Sequence, residues 1–106
     1  MLVTVADMVK VLGEKDAISL RLLLTRKGCS HTTKQMYVQS KVNNRQQLQW
    51  ISYYDIDKSI DRLKSLIEDP VIDYDTVGAL PMYNRRTTKL LLNSIKKLQK
   101  VKDALC

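Results

Sequence analysis

Four carboxylates fall in alternating pairs, Asp55 with Asp57 and Asp73 with Asp75, and a thiol, Cys29, precedes the one histidine, His31, by two residues. Paired carboxylates can hold a metal or divide acid and base roles, and Cys beside His can make a nucleophile or one corner of a metal site. Neither pattern develops further. Asp55 and Asp57 open a helix and Asp73 and Asp75 alternate along a short strand, so capping and solvent exposure account for them. A closed zinc site takes four Cys or His ligands, whereas this chain has two cysteines and one histidine. Three glycines make no phosphate-cradling loop, and no Ser–His or Cys–His constellation can be assembled. The expectation is a protein without catalysis, cofactor or metal.

The chemistry left is that of charge. Eighteen Lys and Arg stand against eleven Asp and Glu, a formal charge of +7 with a pI near 9.5. Residues 21–45 hold six bases (Arg21, Arg26, Lys27, Lys34, Lys41, Arg45) and no acid, and from residue 84 onward seven bases face Asp103 alone. Between them residues 46–83 carry three bases and seven acids. Two basic segments flanking an acidic one suit a polyanion, and double-stranded DNA is the partner expected first. The acidic centre leaves a second reading open, an adaptor that meets a protein partner there and RNA or solvent at its basic termini.

A chain of 106 residues with 44% hydrophobic and 27% charged residues makes one domain with a modest core, 1–106. No apolar run reaches the roughly 18 to 20 residues of a membrane span, and Met1–Asp7 lacks the basic start and apolar stretch of a signal peptide. A cytoplasmic, DNA-associated protein without a membrane partner is expected, its two cysteines, Cys29 and Cys106, reduced.

Thr4 with Asp7 is a capping pattern, and Val5, Met8, Val9 and Leu12 follow at helical spacing up to Gly13. Asp16 can cap a second helix in which Ala17, Ile18, Leu20 and Leu22 to Leu24 crowd more than one face, so this helix is expected to be the most buried, with Gly28 as its stop. Residues 29–44 suit strand and helix equally. Asn44 with Gln47 predicts a short helix over 45–51, and Ser52 with Asp55 a cap for the helix carrying Ile56, Ile60, Leu63, Leu66 and Ile67, which Asp69-Pro70 ends. Residues 71–75 and 82–85 read as a hairpin. From Thr87 a last helix carries the stripe Leu91, Ile95, Leu98, Val101 and Leu105, with Leu90 and Leu92 widening it. With little domain left to cover, that stripe is expected to pair two copies in a homodimer.

This order of elements resembles the winged helix-turn-helix family, mainly α with a short β-hairpin (α+β). Arg45-Gln46-Gln47-Leu48 is similar to the family's first short helix, Ser52 to its turn, Leu63 and Leu66 to the leucine pair of its reading helix, and Val71-Ile72 to the entry of its wing. The resemblance implies a core over 1–86, a dimerisation helix over 87–106, and sequence-specific duplex binding in transcription, replication or plasmid and phage maintenance. It implies DNA contacts from Tyr53, Tyr54, Lys58 and Arg62 on the reading helix and from Arg45 before it. Arg85 and Arg86 follow on the wing, and Lys41 extends the strip. A rival placement puts the turn at Leu24, Gly28, Cys29 and Ser30, with residues 31–42 as the reading helix.

Overall fold

Thr4 and Asp7 begin the molecule's helical part as their spacing predicts. In the computed structural model, which describes residues 1–29, 31–39, 45–69 and 85–106, strand β1 (Leu2–Thr4) runs directly into helix α1 (Val5–Leu12). The Thr4 hydroxyl accepts the Asp7 N–H at 3.1 Å and the Asp7 carboxylate accepts the Thr4 N–H at 3.0 Å, a reciprocal cap that satisfies two donors otherwise left open. Gly13 alone separates α1 from α2 (Glu14–Arg26). Its N–H donates to the Val9 carbonyl at 2.9 Å while its own carbonyl accepts from Ala17 at 3.0 Å, so one residue closes one helix and opens the next. It does so at φ 88°, ψ 162°, a region essentially restricted to glycine. No side chain caps α2. Asp16, the expected cap, lies within the first turn, where its charge still favours the positive end of the helix dipole.

The undecided segment is a strand, β2 (His31–Gln39), which rules out residues 31–42 as a reading helix. The helix expected over 45–51 is also replaced, by β3 (Gln46–Asp55). Trp50, Ile51, Tyr53 and Tyr54 are strong strand formers, and nine consecutive residue pairs join β3 to β2 from His31↔Tyr54 to Gln39↔Gln46. A helix of seven residues, marginal on its own, does not compete with that ladder. Ser52, expected in a turn, and Tyr53 and Tyr54, expected at the start of the reading helix, are therefore extended strand, and β1 adds to its far edge through Leu2↔Asp55, Val3↔Tyr54 and Thr4↔Tyr53, giving an antiparallel sheet in the order β1-β3-β2.

Helix α3 (Ile56–Glu68) follows at once, capped by Asp55 rather than Ser52: its carboxylate accepts the Lys58 N–H at 3.1 Å. Of the expected hairpin, Val71–Asp75 and Met82–Asn84 lie outside the described residues. Arg85, expected at its end, is the first residue of α4 (Arg85–Leu105).

The core joins Val3, Met8 and Leu20 to Leu63, Leu66, Leu91, Leu98 and Val101, all fully buried or nearly so. Helix α4 lies on α3 and α1 of the same chain. Its stripe is thus taken up internally: Leu91, Leu98 and Val101 are buried and Ile95 packs against them, each such side chain contributing about 1.5–3 kcal/mol. Leu91, Leu98 and Val101 are covered by the chain's own helices, and Leu105, at the end of the stripe, is exposed. Nor is α2 the most buried element. It buries Ala17, Leu20 and Leu24 but exposes Ile18 and Leu22, whereas α3 buries five residues. The coarse class, mainly helical with a short antiparallel sheet, agrees with the sequence reading.

Candidate nucleic-acid interface

From its root at Tyr54, the β2–β3 pair leaves the helices behind and continues as a two-stranded ribbon. β1 reaches only residues 53–55 of β3, and beyond that point nearly every side chain of both strands is exposed or half-exposed. At about 3.4 Å per residue the nine pairs make a ribbon near 30 Å long, which accounts for an elongated molecule of 51 × 29 × 22 Å.

Strand alternation divides the ribbon into two faces. Val3 and Tyr54 are paired and buried against the helices, which fixes the helix-side face. Farther out, that face carries the pairs Gln35↔Trp50 and Tyr37↔Leu48. Tyr37 is 70% exposed, Trp50 67% and Leu48 50%. The outward face carries Lys34↔Ile51, Met36↔Gln49 and Val38↔Gln47. There the Lys34 ammonium lies 5.4 Å from the Tyr53 ring centre, a cation–π contact, and the Tyr53 hydroxyl donates to the Met36 sulfur at 2.7 Å.

The residues singled out as DNA contacts scatter across this framework. Tyr54 is 3% exposed, with its ring 5.7 Å from that of His31; it is a core residue and offers no edge to a base. Tyr53 is half-buried on the outward face. Arg62, on α3, turns inward: its Nε donates to the Lys27 carbonyl at 3.1 Å, closing the C-terminal end of α2, where a cation suits the helix dipole. Lys58 is exposed on the first turn of α3. Arg45 is exposed immediately before β3, at the far end of the ribbon rather than at a helix start, and Lys41 is outside the described residues. Arg85 and Arg86 are exposed on the first turn of α4.

Two acids of the central segment, Asp55 and Asp57, are engaged at the body. Asp55 caps α3. Asp57 accepts from the Lys102 ammonium at 2.6 Å and from the N-terminal ammonium at 3.4 Å, and the Lys102 hydrogen bond, foremost among these, holds its carboxyl below the usual carboxylate range while raising Lys102. Cys29 is buried, and burial pushes its thiol up, with the neighbouring Ser59 hydroxyl and the Arg62 charge offsetting only part of that. The Ser59 hydroxyl itself is buried with no partner at hydrogen-bonding geometry among the described residues. A protonated, enclosed thiol is a packing group rather than a nucleophile. Among the described residues no three His, Cys, Asp or Glu side chains converge, and no helix is long and apolar enough to cross a membrane.

Tyr37 and Trp50, exposed on the ribbon, are not among the contacts expected from the sequence, and Lys34 enters there only as one of six bases. Their signal was the stretch 17–54, without a single Asp or Glu and holding all six bases of the first basic segment; read in steps of two, it places Leu48 and Trp50 on one face. No family model, curated protein or solved structure matches this chain.

Proposed function

We propose that the chain binds double-stranded DNA, with the β2–β3 ribbon and the exposed side of α2 as its contact surface. The observation that carries this reading is the mapping of the acid-free stretch: residues 17–54 hold no carboxylate, and of their bases Arg21, Arg26, Lys34 and Arg45 are exposed along α2 and the ribbon that stands off the body, while Lys27 is buried and Lys41 lies outside the described residues. A two-stranded ribbon is one of the two elements the major groove of B-DNA admits. Its outward face presents Lys34, Gln47 and Gln49, and Gln can pair bidentately with adenine while Lys meets guanine or phosphate. Arg21 is exposed on α2, and Arg45 lies at the ribbon's far end.

A helix pair followed by a hairpin also supports a winged helix-turn-helix reading, in a register unlike either one the sequence suggested: α1 and α2 as the helix pair and β2–β3 as the wing. Among the described residues the acids lie on α1, in the first turn of α2, from Asp55 through α3 to Asp69, and near the end of α4, and none lies on the ribbon before Asp55. Because the α4 stripe is taken up within the chain, the single chain is the binding unit of this reading.

Fluorescence anisotropy of the full chain with random-sequence duplex, titrated from low to physiological salt, tests it. Binding that weakens with a log–log slope of several units is expected. Lys34→Ala and Arg21→Ala should each reduce that slope by roughly 0.9, the share of one neutralised phosphate. Absence of duplex binding at low salt would overturn the reading.

A further inference from the structure

The duplex reading leaves the other side of the ribbon unused. Groove contacts by Lys34, Gln47 and Gln49 engage the outward face, yet the largest exposed side chains of the ribbon, Trp50 and Tyr37, stand on the helix-side face, beyond the helices that cover Tyr54. Tyr37 is paired with Leu48, so Trp50, two residues farther along β3, is its diagonal neighbour. Such neighbours lie about 7–8 Å apart, with side chains roughly perpendicular to the sheet. Two rings at that spacing leave a slot of about twice the 3.4 Å repeat of stacked bases, the width that one planar base fills with a ring on each side. Among the described residues neither ring stacks on another aromatic side chain. Gln35, paired with Trp50 on the same face, sets an amide donor and acceptor beside the slot.

We infer that this face is a stacking site for unpaired bases of a DNA strand, with Trp50 and Tyr37 as the platform. The inference rests on the nucleic-acid reading above and extends it from duplex to a duplex with a single-stranded tail. Charge selects this occupant over a second copy of the chain: among its described residues the ribbon carries Lys34, with Arg45 at its far end, and no acid before Asp55, so two such ribbons repel each other while a polyanion is drawn to both. Area points the same way. The exposed parts of Trp50, Tyr37 and Leu48 amount to roughly 400 Å² at the 150–250 Å² an aromatic side chain buries, about half of the roughly 800 Å² per partner of a stable protein interface. Unpaired bases need no more, because each brings its own π-face to an aromatic ring and its phosphate to a nearby cation.

Trp50 is the one tryptophan in the chain, so its emission reports on this site alone. The full chain is titrated with a blunt duplex and with the same duplex carrying an oligothymidylate tail, following both anisotropy and tryptophan emission. The tail is expected to raise affinity by roughly 5- to 150-fold, the range for stacking one base, and to quench Trp50. Trp50→Ala should remove that gain while leaving blunt-duplex affinity within about twofold, Trp50→Phe should keep most of it, and far-UV circular dichroism should be the same for all three proteins. Equal binding of both duplexes with Trp50 emission unchanged would overturn the stacking site and leave duplex binding standing. A Trp50→Ala variant that binds neither blunt nor tailed duplex would also overturn it, by making Trp50 a general support of the ribbon. Binding of neither duplex by the parent chain would remove the nucleic-acid reading and this inference with it.

Discussion

Leu98→Ala asks whether the α4 stripe belongs to the chain's own core. Leu98 is fully buried in one cluster with Met8, Leu63 and Leu66. Truncation deletes three carbons at about 0.8 kcal/mol each, and the cavity that tight packing leaves behind brings the loss to roughly 2–5 kcal/mol. Against a total of roughly 5–15 kcal/mol for a domain of this size, that is a large share. With a urea dependence of about 1–3 kcal/mol per M, a 3 kcal/mol loss lowers the midpoint by roughly 1–3 M. The assay is urea unfolding followed by far-UV circular dichroism at two protein concentrations a hundredfold apart. An internal stripe gives the same midpoint at both. A seam between two copies would gain about 2.7 kcal/mol of apparent stability over that range. Leu92→Ala, on the same helix but exposed, serves as the control and should stay within about 0.5 kcal/mol of the parent. A midpoint that climbs with concentration, or a Leu98→Ala loss no larger than that of Leu92→Ala, would refute the reasoning.

Three further outcomes follow from single contacts. Gly13→Ala should cost about 1–3 kcal/mol, seen as a fall of roughly 5–20 °C in thermal midpoint, although the added Cβ would meet no atom within 4 Å; an unchanged midpoint would mean that the backbone relaxes out of its positive φ. Asp57→Asn should lower stability only where the pair with Lys102 exists. Because Asp57 is depressed, its contribution is present above the ordinary carboxyl value near 3.9 and lost as pH falls through the lower folded value; because Lys102 is raised, its contribution is present below about 10.4 and lost as pH rises through the higher one. Parent and variant unfolding curves should therefore differ at neutral pH and converge as pH falls through the lowered carboxyl value of the folded state, and a constant difference across that range would refute the assignment. Arg62→Ala should cost roughly 1–2 kcal/mol and speed amide exchange at the end of α2, with duplex affinity within about twofold; a large fall in affinity at unchanged stability would return Arg62 to the DNA surface.

The helices were largely legible because their signals are local. Thr4 with Asp7, and Ile56, Ile60 and Leu63 at helical spacing, mark α1 and α3 without reference to any other segment, and the actual cap of α3, Asp55, lies one residue before its start. The ribbon was not, since Met36 and Val38 suit either period, and what decides between them is a partner strand that a linear reading does not supply. Reading 45–51 as helix also puts Tyr54 on the surface, although its strand neighbour Val3 carries it into the core, and gives no signal of the exposure that β3 confers on Trp50. The α4 stripe shows the same division. Its apolar face was evident, but whether it met its own chain or another depended on α1 and α3 being free to receive it.

Helices α1 and α4 share one core, and about 90 residues separate Met8 from Leu98. At synthesis rates of roughly 5–20 residues per second, Val3, Met8 and Leu20 wait some 5–20 seconds on the ribosome before the helix that completes their burial exists. During that interval the first half of the chain presents bare apolar surface beside a basic strand pair with an open edge. The native structure is therefore reached only after α4 has been made, and a chaperone that shields α1 and α2 until α4 arrives would raise its yield.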